Sequence, residues 1–422
     1  MKNKLRNNKD PKHLLKASSL MNAIFVCVII SVFSGCFILI SHYQSVLNNR
    51  LYLQEDLISK NESAFNYFLN NNEWVSYDEI KEITVFDDDD ISSFIEKKNW
   101  GFYDILICKT VFKNDTIHKT ALVGSIKKEV DDLALYVTDY DKPLKLSGKT
   151  KVLGDIKIPN GRSEQAYING QKGNALTLRG RQLKSKDKLP KIDKTIKMDV
   201  LGLPRISFNN INEETILING FNNVTKVLDL NGIASLKDIT CKGNFILYSI
   251  NDLEIDSSVI LNDVVIIAPV VKIISGFKGN VQIIATKEVI VEENVSLMYP
   301  SSIYIKNDTD IVSVEIKKNS TLIGGIVIDG NTYSNSLDRK LFINENTTII
   351  GNVYCYGSTQ LNGNIIGSIY TDRFFLKTEA SNYENVILNA SINKEKLSDN
   401  FVELPLFNNS LDKKTYAVIK EF

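Results

Sequence analysis

Hydrophobic and polar positions divide this chain into three regimes. From Ala17 to Ser41 there is no charged residue. A helix of that length spans roughly 37 Å, enough to cross a hydrocarbon core. The pattern then becomes amphipathic: Leu47, Leu51, Ile58, Phe65 and Leu69 recur at steps of four to seven residues, and Leu53 and Leu57 extend the stripe. No proline interrupts Ala17 to Asn72. One continuous helix is predicted, half membrane segment and half stalk, ended by Asn70-Asn71-Asn72.

Residues 73–145 read as a mixed, mainly β segment. Within it, Ile91 to Lys97 is helix-like, with Asp90 as N-cap candidate. Trp74 and Trp100 flank the region as expected core residues.

Over 146–371 a short element recurs: Gly, a small polar residue or Gly, then alternating apolar positions. It stands at Gly154-Asp155-Ile156, Gly243-Asn244-Phe245, Gly279-Asn280-Val281, Gly324-Gly325-Ile326, Gly351-Asn352-Val353 and Gly363-Asn364-Ile365. A second strand accompanies it, with paired inward residues Leu253/Ile255, Val271/Ile273, Val289/Val291, Val314/Ile316 and Leu341/Ile343. Their first members are 18, 18, 25 and 27 residues apart, and Val259, Phe277, Val295, Ser320 and Thr347 each follow a pair by four residues. This periodicity predicts a parallel β-solenoid whose coils bury their apolar faces by stacking. A β-sandwich is the competing architecture, but its turns rarely repeat one Gly-Asn signature. Alternation sends Val281 and Ile283 inward and Gln282 outward. About a tenth of the residues are Asn, which suits corners in left-handed conformation.

Composition adds topology. The chain is 43% hydrophobic and 24% charged, and its 50 cations and 50 acids balance. That balance argues against a nucleic-acid binder. Yet six cations and only Asp10 precede residue 17, so the N-terminus is expected in the cytoplasm and the bulk of the chain outside. A cleaved signal peptide is the rival reading. The three histidines (His13, His42, His118) and five scattered cysteines (Cys27, Cys36, Cys108, Cys241, Cys355) provide no zinc or redox motif.

Three resemblances follow. The basic tail, small-residue apolar helix and amphipathic extension of residues 12–70 resemble the N-terminus of minor pilins and pseudopilins, which implies a helix that anchors the subunit before assembly. Ala17 stands where that family has the Gly of its cleavage site, and Asn22 stands in place of the family's Glu. Phe33-Ser34-Gly35-Cys36 resembles a bacterial lipobox, with Phe33 where an aliphatic residue is usual. The run Leu361-Asn362-Gly363-Asn364-Ile365-Ile366-Gly367-Ser368-Ile369 resembles bactofilins and other polymer-forming β-helices.

Candidate chemistry is sparse. Asp308, Asp310, Asp329, Asp338 and Arg339 lie in the longer insertions, where a carbohydrate-active β-helix enzyme would cluster such residues; Asp in solenoid loops is also ordinary turn chemistry. Asp87 to Asp90 lacks the spacing of a Ca²⁺ loop. His118 has no accompanying motif, and 146–371 contains no His of the kind a hexapeptide acyltransferase uses. Arg162, Lys172, Arg179, Arg181, Lys184, Lys186 and Lys188 form a basic stretch, read either as a solvated insertion or as a surface for anionic glycan or lipid headgroups. No HExxH, GxSxG, Walker or dinucleotide motif is present.

The expected protein is mainly β, with a transmembrane and stalk helix followed by a parallel β-solenoid. It divides into a cytoplasmic tail (1–16), membrane helix (17–41), stalk (42–72), mixed β segment (73–145), solenoid (146–371) and C-terminal cap (372–422). The expected role is structural or interactive in a bacterial cell envelope, at the cytoplasmic membrane, accessory to a pilus-like or secretion machine. Partners are the membrane, through one helix, and envelope proteins or glycans; nucleic acid is not one. No enzyme activity, catalytic residue, cofactor or metal is assigned. The alternative is a carbohydrate-active β-helix enzyme or a glycan-binding protein.

Overall fold

A computed structural model describes residues 12–71, 75–83, 91–126, 133–173, 178–192, 196, 200–208, 215–307, 311–330, 338–379, 381–407 and 415–422. The protein is mainly β, with one long apolar helix at its N-terminus. Helix α1 (Lys12–Asn70) is continuous for 59 residues. It is long and apolar enough to cross a membrane, and its most apolar stretch is not buried by any of the described residues.

The far end of α1 behaves differently. Ala64, Phe65 and Phe68 are buried against Ile95, Leu106, Cys108, Ala121 and Val123. Those partners come from one face of an antiparallel sheet of β1 (Ile80–Ile83), β2 (Ser92–Trp100), β3 (Tyr103–Phe112), β4 (Asp115–Ile126) and the C-terminal strand Thr415–Glu421. Asn61 is buried in this seam. Its Nδ2 donates to the Cys108 carbonyl at 3.3 Å and to Thr110 Oγ1 at 3.1 Å. The burial meets the usual requirement that a polar group taken from water find partners.

The helix-like reading of Ile91 to Lys97 is corrected: this segment belongs to β2, whose residues pair with β3 from Ser92↔Val111 to Trp100↔Tyr103. A two-residue turn at Gly101, with φ of 65°, closes the hairpin. Ser93, Ile95 and Lys97 alternate inward along it, so tertiary pairing overrides the local pattern. Asp87 to Asp90 and Trp74 lie outside the described residues.

From β5 (Leu133–Val137) onward most strands pair in parallel; the antiparallel exceptions are Tyr167–Ile168 with Gln171–Lys172, Asn382–Glu384 with the end of Asn364–Lys377, and Thr415–Glu421 with β4. The paired positions read from sequence stack directly: Leu253↔Val271 and Ile255↔Ile273, Val271↔Val289 and Ile273↔Val291, Val289↔Val314 and Val291↔Ile316, then Val314↔Leu341 and Ile316↔Ile343. All ten are buried. A second inward ladder runs Leu247, Ile266, Ile283, Ile303, Ile326, Val353, Ile369 and Leu135. β-Branched residues suit such ladders because each packs against its like on the next rung. Gly276, Asn294, Asn319 and Asn346 all have positive φ, each immediately before one of the corner residues Phe277, Val295, Ser320 and Thr347. Gly324, Gly351 and Gly367 stack in register. Gly279 does not join them; it pairs with Leu297, so the Gly elements are offset rather than equivalent.

The rung order departs from the sequence order. Strand Asn364–Lys377 pairs with β5 through Ile369↔Leu135 and Thr371↔Val137. Strands Val386–Leu388 and Ser391–Asn393 pair with residues 145–147 and 151–153. Strands of residues 133–184 therefore lie beyond those of residues 364–393 in the parallel sheet, and the chain then resumes at its opposite end with Arg205–Ser207. Parallel pairing extends past 146–371 on both sides. The stack end assigned to a 372–422 cap is covered instead by residues 133–184, and Thr415–Glu421 joins the antiparallel sheet.

A further layer covers one outer face of the stack. Ile284, Tyr304, Val327, Tyr354, Tyr370 and Tyr136 form an outward ladder, yet all are buried against Trp100, Phe102, Tyr103, Ile105, Leu122, Leu189, Leu404 and Leu406. The second face of the antiparallel sheet supplies several of these. Gln282 points outward as read, but it is only 4% exposed because the β2–β3 turn lies on it.

Candidate functional site

Of the insertion residues singled out as candidates, Asp329 and Arg339 lie at one corner of the stack, joined through Gly330, whose N–H donates to Asp329. Asp329 follows the inward Ile328 and accepts a hydrogen bond from Tyr304 Oη at 3.2 Å; Lys306 pairs with it at 3.4 Å. Arg339 opens the next strand, Arg339–Ile343. Its guanidinium donates to the Asn307 carbonyl at 3.1 Å and lies over the Tyr356 ring at 5.5 Å. Gly330 lies against the other side: a Cβ there would come within 2.5 Å of the Arg339 Cζ. Arg339 is 1% exposed, while Asp338 beside it is exposed. Asp308 and Asp310 lie outside the described residues.

One further corner residue escaped the sequence reading. Asp372 follows the inward Thr371, which pairs with Cys355 and Val137. It is 2% exposed. Thr138 Oγ1 donates to its Oδ1 at 3.0 Å, and Oδ2 has no hydrogen-bond partner among the described residues. Desolvation pushes the carboxyl up to about 6, against the smaller opposing effects of the Thr138 hydrogen bond and the Arg373 and Arg339 charges. The only sequence signal was a charge directly after a period-two run, which is also what an ordinary turn supplies.

This corner holds a proton-binding carboxylate and a stacked guanidinium, both enclosed. The three thiols Cys108, Cys241 and Cys355 are free and buried. Desolvation, as the leading effect, pushes each up to about 12, so none is a reactive thiolate. His118, on β4, is lowered by desolvation and then by Lys109. Among the described residues no group of three or more His, Cys, Asp or Glu is placed to hold a metal ion.

The later part of the basic stretch lies on the outermost strands, which pair with residues 151–158 through Leu178↔Val152 and Gln182↔Ile156, while Lys172 lies in a hairpin with Tyr167. Arg181 is paired with Asp155 at 2.6 Å, and Arg179 and Lys184 face Glu395 and Asp139. Hydrogen bonds from Arg181 hold the Asp155 carboxyl below its ordinary range. Arg162, Lys172, Lys186 and Lys188 are exposed and form no ion pair among the described residues. No family model, curated protein or solved structure matches the chain.

Proposed function

We propose that this chain is a membrane-anchored, extracytoplasmic β-solenoid with a structural or interaction role in a bacterial cell envelope. The observation that carries this reading is continuity of packing from anchor to stack. The buried end of α1 lies on one face of the antiparallel sheet, and the other face lies on the outer ladder of the stack. A stack held in this way keeps a fixed geometry relative to the membrane segment. The solenoid reading is supported by like-on-like ladders at the repeat spacing. The cations before residue 17 support an N-terminus in the cytoplasm.

Enclosure of the corner favours a scaffold over an enzyme. Arg339 and Asp372 are both buried, and a substrate needs access to the groups that act on it. A second reading, accessory subunit of a pilus-like or secretion machine, is favoured by α1 alone, in which one helix carries both the apolar segment and the docking residues.

The test is complementation of a deletion strain. Asp329→Ala, Asp338→Ala and Asp372→Asn should each restore the phenotype, while a chain lacking residues 12–41 should not. If one of the three point variants stays folded and anchored but abolishes function, the carbohydrate-active enzyme replaces the scaffold.

A further inference from the structure

The contacts between the layers fix which end of the stack faces the membrane. Along β3, Asp104 lies beside Tyr77, just past the end of α1, at 3.1 Å. Cys108 lies beside Asn61, one turn and more back toward the apolar segment. Moving from Asp104 to Cys108 therefore moves toward the membrane segment. On the other face the same direction crosses the rungs in order. Phe102 N donates to Gln282. Lys420, on the strand beside β4 and paired with Leu122, reaches Asp263. Thr120, which pairs with Ile107, reaches Asn222. The end carrying residues 205–263 faces the membrane segment, and the coils of residues 133–191 are at the far end.

Charge follows the same axis. Residues 139–191 carry thirteen cations and five acids, whereas residues 200–263 carry four cations and eight acids. On the last two rungs Lys149, Lys151, Arg162, Lys172, Lys186 and Lys188 are exposed and form no ion pair among the described residues. Beside them Tyr167, 72% exposed, stands directly across a two-stranded hairpin from Lys172. An exposed ring next to an ammonium offers a stacking platform for the C–H face of a sugar and a partner for an anionic substituent on it.

We infer that this far end coil is a docking surface for an anionic glycan. The inference rests on the anchored, extracytoplasmic reading. Given that reading, the headgroups of the protein's own membrane lie at the opposite, acidic end. A second copy offers a complementary acidic end, but copies anchored side by side hold their end coils at one height, so the far end of one cannot reach the near end of another. A glycan layer beyond the membrane meets both the charge and the exposed ring.

The experiment measures binding of the purified full-length chain, in detergent micelles, to dextran sulfate, to unsulfated dextran and to poly-L-glutamate. Wild type should bind dextran sulfate and not dextran. The variant Lys149→Glu/Lys151→Glu/Arg162→Glu/Lys172→Glu should bind dextran sulfate about tenfold or more weakly with an unchanged circular dichroism spectrum, and Lys226→Glu/Lys237→Glu should match wild type. Tyr167→Ala should weaken dextran sulfate severalfold and leave poly-L-glutamate unchanged. Wild-type affinity in the fourfold variant overturns the site. An equal effect of Tyr167→Ala on both polyanions, or on neither, overturns the glycan in favour of an acidic protein partner. Binding in micelles does not depend on membrane orientation, so a cytoplasmic location of the far end would overturn the anchoring reading and leave this result separately legible.

Discussion

Gln282 and Phe102, 180 residues apart in sequence, meet where the parallel stack joins the antiparallel sheet. Phe102 N donates to the Gln282 side-chain oxygen at 2.9 Å, and Gln282 Nε2 donates to the Trp100 carbonyl at 2.8 Å. An outward-pointing side chain on one rung thus serves as a buried clasp between two layers.

Because the clasp is buried, its loss should be felt. Gln282→Ala removes two buried hydrogen bonds, to Phe102 N and to the Trp100 carbonyl, at a cost of about 1–3 kcal/mol. Gln282→Asp should cost at least as much, since the shorter, charged side chain keeps no donor. Denaturant unfolding measures this; midpoints matching wild type would mean that the turn does not rest on Gln282.

The inward ladder makes a stronger demand. Ile283 and Ile328 are fully buried, so Ile→Asp at either places a carboxylate among stacked aliphatic side chains. The expected loss exceeds about 4 kcal/mol, at the extreme of single substitutions. Ile283→Val should cost only about 0.5–1.5 kcal/mol. Circular dichroism melts would contradict the register if the Asp and Val variants unfolded together.

Gly351 tests the corner geometry. Its φ is 124°, and a Cβ would come within 2.0 Å of the Gly324 carbonyl oxygen. Gly351→Ala meets both backbone strain of about 1–3 kcal/mol and a clash that backbone must relieve. Loss of about 3 kcal/mol or more is expected, and a neutral substitution would refute the Gly ladder.

The inward ladders were legible in the sequence because parallel, in-register pairing repeats the same residue type at the repeat spacing, as Val271, Val289 and Val314 do. Asn294, Asn319 and Asn346 were legible as a class for the same reason. The covered outer face was written less plainly. Runs such as Ile283-Ile284 and Ile303-Tyr304-Ile305 do not alternate, which marks strands buried on both sides; reading only the alternation put Gln282 in solvent. The placement of residues 133–184 beyond residue 393 left no local trace, since Leu135 pairs with Ile369 through contacts separated by most of the chain.

Asp372 should make stability depend on pH. Its folded carboxyl titrates at about 6, above the unfolded value near 3.9. Between those values the native state binds a proton that the unfolded state has released, so stability falls as pH rises from about 4 through about 6 and is flat beyond it, for a total of about 3 kcal/mol. Asp372→Asn should remove that slope from the difference between variant and wild type. Unfolding free energies at a series of pH values provide the check; parallel curves would place Asp372 in solvent.

Anchoring with the far end outside is measured most directly by labelling single cysteines in intact cells with a membrane-impermeant maleimide. With the native cysteines replaced, Tyr167→Cys should label without permeabilisation, and Lys9→Cys should label only after it. Labelling of Lys9→Cys but not Tyr167→Cys in intact cells would contradict an extracytoplasmic, membrane-anchored stack.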